Sequence, residues 1–195
     1  VISFTIVVNP DFDSEPISYE NSAQICGDFA EDFVSDGDAK KFSNDGVIPD
    51  PDDSSPTPIL LPKIGLAKSV TSFVSVGAVE GAFDAELQFI ISNLGNVDLT
   101  NIALTDDLTA PLGTHVGPAE VSGQGEYRVL VLPSDTTDAG STITVNPNFN
   151  GDGDTLIAGD TNDLLQIGDS STITLTVRYT PDFNAPTPTY LNIAI

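Results

Sequence analysis

The stretch "AFDAELQFIIS" at residues 82–92 limits what this chain can become more than any other. Phe83, Ala85, Leu87, Phe89 and Ile91 recur at every second position, with Asp84, Glu86, Gln88 and Ser92 among the residues between them. A period of two puts the first set on one side of an extended backbone and the second on the other, which is the pattern of a strand buried on one face. It returns in "EYRVLVL" (Tyr127, Val129, Val131), in "STITLTVRY" (Ile173, Leu175, Val177, Tyr179) and in "VISFTIVV" (Ile2, Phe4, Ile6, Val8). Turn signals part these runs: "NLGN" at 93–96, "SGQG" at 122–125, "NGDGD" at 150–154 and "APTP" at 185–188. Helical periodicity is limited to one turn near "FAEDF". Short β-branched and aromatic strands punctuated by Gly and Pro predict an all-β chain folded as an antiparallel β-sandwich.

Charge narrows the partners. Six Lys and Arg stand against 29 Asp and Glu, a formal net charge of -23, so nucleic acid and anionic lipid would both be repelled. Divalent cations are the partners such a surface attracts. The single Cys and the lack of Met and Trp exclude a disulfide framework within the chain and a Cys-based zinc site. Cys26 has two open roles, a cross-link between chains in an oxidising setting or a buried reduced thiol. No apolar run approaches the roughly 18 residues that span a membrane, and the apolar core of a signal peptide is missing, so an export signal is expected outside this sequence.

Between residues 26 and 62 the alternation stops in "CGDFAEDFVSDGDAKKFSNDGVIPDPDDSSPTPILLP". Its acidic residues and Pro49, Pro51, Pro56, Pro58 and Pro62 predict an extended, semi-rigid linker between two domains. Residues 1–24 laid over 172–195 show an internal repeat. Ile2 falls on Ile173, Thr5 on Thr176, "PDF" at 10–12 on "PDF" at 181–183, Tyr19 on Tyr190, Asn21 on Asn192 and Ala23 on Ala194. Pro, Tyr and Asn kept in register point to a tandem array, so residues 1–25 are expected to be the last strand pair of a preceding unit and 63–195 a complete one.

"PKIGLAKSV" at 62–70 followed by "ISNLGNVDLTNIALTDDL" at 91–108 resembles the conserved Ig-like repeat domain of bacterial surface and adhesin proteins, a module found in long arrays. The Asn-x-Gly-Asn hairpin, the Leu-Thr-Asn and Thr-Asp strand ending and "TYLNIAI" as a final strand carry the likeness, which covers 62–195. It implies an Ig-like sandwich, an extracellular or cell-surface bacterial setting, and an elongated adhesive or fibre-forming protein without catalytic residues.

The strongest candidate site is "NPNFNGDGDTLIAGD", where Asn148, Asn150, Asp152 and Asp154 alternate around a Gly-rich turn and Asp160 follows. Hard oxygen ligands spaced this way can converge on one calcium ion, with Gly letting the backbone bend. The bidentate Glu of a helix-flanked calcium loop is missing, and a solvated polar turn stands as the other reading. Asp50 and Asp52 in the linker, with Asp45 and Asp53, form a second acidic group that could share a cation with Asp106 and Asp107 at a domain end. An acidic solubilising linker accounts for the same residues. His115, the only histidine, reads as an exposed loop residue, and no nucleophile elbow occurs, so an enzyme is not expected.

The sequence is therefore expected to be a structural repeat of a long secreted or surface fibre or adhesin, calcium-stabilised. Its partners would be neighbouring repeats of the same chain and a homo-oligomeric filament. The alternative is a carbohydrate- or ligand-binding sandwich of a secreted multi-domain protein, for which four Tyr and no Trp offer a poor aromatic platform.

Overall fold

The computed structural model describes residues 60–79, 81–182 and 184, with the backbone of four short strands at 20–21, 24–27, 39–42 and 57–58. The chain divides into two compact units, Val1–Leu61 and Pro62–Ile195. In the first, β1 (Glu20–Asn21) pairs antiparallel with β4 (Thr57–Pro58), and β2 (Gln24–Gly27) pairs antiparallel with β3 (Ala39–Phe42). The stretch read as a linker thus holds ladder pairing at 39–42 and 57–58. The strand expected at residues 1–8, the acidic residues Asp50 and Asp52, and the final "TYLNIAI" lie outside the described residues.

The second unit runs β5 (Ile64–Ser75), β6 (Phe83–Asn93), β7 (Leu99–Thr100), β8 (Ala103–Thr105), a single helical turn α1 (Thr109–Leu112), β9 (Thr114–His115), β10 (Glu126–Thr137), β11 (Leu156–Gly159), β12 (Leu164–Leu165) and β13 (Ser170–Thr180). One five-stranded sheet has the order β5-β6-β13-β10-β9, antiparallel throughout except for the short β10 and β9 contact. Two short antiparallel pairs, β8 with β11 and β7 with β12, complete the unit. The described residues are therefore all-β and dominated by antiparallel pairing, as the alternation predicts. Among them no helix is long and apolar enough to cross a membrane.

Alternation decides which side of the sheet is dry. Ala85, Leu87, Phe89 and Ile91 of β6 and Ile173, Leu175, Val177 and Tyr179 of β13 are all buried in one core. Leu104 of β8, Ile157 and Ala158 of β11, Leu165 of β12, and Phe149 belong to the same core. Each large apolar side chain enclosed this way contributes about 1.5–3 kcal/mol relative to exposure. On the opposite face Arg178 grips Asp84 with two bonds, Nε to Oδ1 at 2.7 Å and Nη2 to Oδ2 at 2.9 Å. Glu120 bridges Arg178 and Arg128, which lie in register on β13 and β10.

The third predicted run keeps its parity only in part. Tyr127 is fully buried and Val129 packs against the core, yet Val131 is 53% exposed. The ladder explains it: Val129 faces Val177, but Val131 faces Thr176, so one extra residue is accommodated between them and the strand turns over. A β-bulge of this kind moves the side chains that follow to the other face, until a second shift between Val131 and Ser134 adds a further residue.

Candidate functional site

The stretch from Asn146 to Asp160 is the prime candidate for a cation, and in its first turn the side chains of Asn146, Asn150 and Asp154 are occupied by hydrogen bonds within the turn. Asn150 Oδ1 accepts the N–H groups of Asp152 at 2.9 Å and Asp154 at 3.0 Å. Asp154 Oδ1 accepts from Asn146 Nδ2 at 2.9 Å and from the Leu156 N–H at 3.3 Å. Asn146 Oδ1 accepts the Asn148 N–H, while its Nδ2 also donates to the Leu156 carbonyl. Short Asn and Asp side chains favour such local bonds because they reach donors about two residues ahead without strain. Gly151 adopts φ 74°, and its backbone lies so close to Leu108 that a Cβ would come within 2.6 Å of that side chain. The Leu108 N–H bonds to the Gly151 carbonyl at 2.8 Å, tying the turn to the segment ahead of α1.

Of the remaining predicted ligands, Asp160 stands apart on its own turn, where Oδ1 accepts the backbone N–H and the side-chain amide of Asn162. These bonds hold the Asp160 carboxyl below the ordinary range. Asp107, two residues ahead of the helical turn's first residue, accepts from Thr109 Oγ1 at 2.6 Å and the Thr109 N–H at 2.8 Å, and its carboxyl is lowered by that pair of bonds. Asn148 and Asp152 are exposed. Among the described residues no three His, Cys, Asp or Glu side chains gather into a group that could hold a metal ion.

Asp106 does something else. It is buried, and its Oδ2 takes a hydrogen bond of 2.7 Å from Lys68 Nζ, across 38 residues of chain. Lys68 stands on β5 opposite Phe89, and its ammonium lies 5.1 Å from the centre of the Phe89 ring. Burial pulls the Lys68 pKa down, opposed by the hydrogen bond and charge of Asp106. Lys68 was missed in the sequence, although the signal is there. Ile64, Leu66, Lys68 and Val70 alternate, so the amine had to point to the apolar side, and an inward Lys needs an acidic partner.

Tyr127 links these parts. Its hydroxyl donates to the Asn150 carbonyl at 3.1 Å, and its ring lies 5.3 Å from that of His115, which is half-buried rather than exposed. Burial, and then the negative charges of Asp152, Asp107 and Asp106, push the phenol well above the usual tyrosine range. The acidic residues at this end thus act together on one buried hydroxyl.

No family model matches the chain, and neither a curated protein nor a solved structure matches it.

Proposed function

We propose that residues 62–195 are an Ig-like β-sandwich repeat of a long secreted or cell-surface bacterial fibre or adhesin, a non-enzymatic module that supplies reach, stiffness and an acidic surface. One observation carries this reading. The unit's first strand begins, at Ile64, level with the start of β13, because Ile64 faces Asn93 and the neighbouring Ser92 faces Ser170. Its last described strand leaves, at Tyr179 and Thr180, level with Ser75. Ile64 and Thr180 therefore stand at opposite ends of the sheet, about 35 Å apart for a strand of this length. Modules connected in this manner extend a chain end to end with each copy.

The calcium expected at residues 148–154 is not required to close that turn, since the Asn150 and Asp154 oxygens already accept two hydrogen bonds apiece. An acidic surface with its arginines paired to Asp84 and Glu120 repels copies of itself sideways and favours an extended arrangement. Small-angle scattering on single, double and triple concatemers of the full chain tests the proposal. The longest dimension should grow in proportion to copy number, and a compact particle of near-constant length would overturn it. Saturable binding on a glycan array would instead favour a carbohydrate-binding sandwich.

A further inference from the structure

Residues 54–79 hold no Asp or Glu and include Lys63 and Lys68, in a sequence with 29 acidic residues against six basic ones. β5 lies within that run at the edge of the five-stranded sheet, where among the described strands it pairs with β6 alone. The carboxylates it meets are engaged. Asp106 takes the Lys68 ammonium, Asp84, facing Val74, is held by Arg178, and Glu86, facing Ser72, accepts the Thr71 hydroxyl. The repulsion that keeps copies of this chain apart is therefore weakest along β5.

The same strand presents apolar surface. Ile64, Leu66, Val70 and Phe73 point to the core side of the sheet, since they stand opposite Asn93, Ile91, Leu87 and Ala85, all buried on β6. Yet they are 55%, 42%, 58% and 53% exposed, and Leu60 just ahead of them is 65% exposed. These exposed parts amount to about 500 Å² per copy, so an interface of two copies that covers them reaches the roughly 1,000 Å² at which specific association begins.

Backbone direction decides how a second strand can be added. The Leu94 N–H donates to the Lys63 carbonyl at 2.9 Å, so Lys63 bonds towards β6. The register between β5 and β6 is unbroken from Ile64 to Val70, and along an antiparallel ladder the backbone groups alternate in direction. Ile64, Leu66, Lys68 and Val70 therefore turn their N–H and C=O groups away from β6, to the open edge. A copy of the same stretch, laid antiparallel with Ala67 on the two-fold axis, matches them. Ile64 meets Val70 and Leu66 meets Lys68 of the second copy, all in hydrogen-bonded pairs, and about eight backbone bonds result. No like charges face each other, because each Lys68 is opposite a Leu66 and its ammonium is turned to Asp106. On the other side of the strand Gly65 meets Ser69 and Ala67 meets Ala67, residues too small to obstruct the approach. An inward charge and a bulge can each blunt an open edge, but Lys68 is neutralised by Asp106 and the register shift between Val70 and Ser72 lies just outside the matched stretch.

We propose that β5 is a homodimer interface, in which two copies of the chain join edge to edge through residues 64–70, antiparallel about Ala67, so that their sheets become one. The contact is isologous and closes on itself, giving a pair and not an endless stack. The opposite edge, β9, is two residues long and offers no comparable template. The pairing belongs to a single unit and holds whether or not units are strung into a fibre.

Sedimentation of the full chain carrying Cys26→Ser, which excludes thiol cross-links, should show the mass rising from one chain to two between about 1 μM and about 1 mM. Leu66→Pro deletes an outward N–H and no bond to β6, so it should keep the circular dichroism of the parent and weaken dimerisation by about tenfold or more. Ala67→Cys in the same background should oxidise to a covalent pair, because equivalent residues on the axis are closely opposed, whereas Leu132→Cys on exposed β10 should not. A chain that stays single up to about 1 mM would overturn the proposal. So would a dimer that Leu66→Pro leaves intact, or oxidation that links Leu132→Cys as readily as Ala67→Cys, since either puts the contact elsewhere. Should Leu66→Pro misfold, the two cysteine variants decide by themselves.

Discussion

The Tyr127 hydroxyl donates to the Asn150 carbonyl at 3.1 Å, joining the buried start of β10 to the acidic turn 23 residues later. Removing that donor in Tyr127→Phe leaves a carbonyl without its partner, and the expected loss is about 1–2 kcal/mol in urea unfolding. The same bond has a pH signature. The folded phenol titrates above its unfolded value of 10.0, so the stabilisation is complete below that pH and is lost as pH climbs from there through the folded value. Unfolding midpoints of the wild type should fall faster above about pH 10 than those of Tyr127→Phe. Parallel curves would separate Tyr127 from the effect.

Gly151 carries a second expectation. Its left-handed φ of 74° and the 2.6 Å approach of a Cβ to Leu108 act together, so Gly151→Ala should cost about 2–4 kcal/mol. Gly153, where a Cβ meets nothing within 4 Å, is the control. Gly153→Ala should melt within a few degrees of wild type, and equal losses at the two positions would contradict the packing argument.

Carboxylates that close turns make the domain acid-sensitive. Backbone N–H groups of Ser122 and Gly123 hold Glu126 below its ordinary pKa of 4.5, and Thr109 and Asn162 do the same for Asp107 and Asp160. A lowered carboxyl supports the fold above its unfolded pKa and stops doing so as pH falls through the folded one. Stability should therefore drop below about pH 4.5, and Glu126→Gln, which is already neutral, should show a shallower drop in chemical denaturation.

Calcium offers a direct comparison. Because Asn150 and Asp154 spend their oxygens on the turn's own N–H groups, melting in millimolar calcium and in chelator should coincide. A melting point raised by calcium and lost in Asp152→Asn would show instead that the exposed carboxylates recruit an ion.

How far the sequence could be read depends on the range of the interaction concerned. The burial of Leu87, Phe89, Ile173 and Leu175 follows from a period of two, which any ladder respects. Val131 breaks step because a bulge depends on what the neighbouring strand does, and nothing in "EYRVLVL" marks it. Asn150 and Asp154 were legible as turn residues, but the spacing that would let them gather around a cation also lets them bond their own backbone. Local geometry, not residue type, decides between the two. The pairing of Lys68 with Asp106 spans 38 residues, beyond any local pattern, and β5 drew notice for its family likeness rather than its alternation.

β5 and β13 run in the same direction on either side of β6, so that β5 begins at one end of the sheet and β13 finishes at the other. Tension applied between Ile64 and Thr180 is directed along the strands. The hydrogen bonds between β5, β6 and β13 would then be strained side by side in shear, and not opened one after another like a zip. Such a ladder yields only when many bonds give way at once, so resistance to stretching follows from the order of three strands.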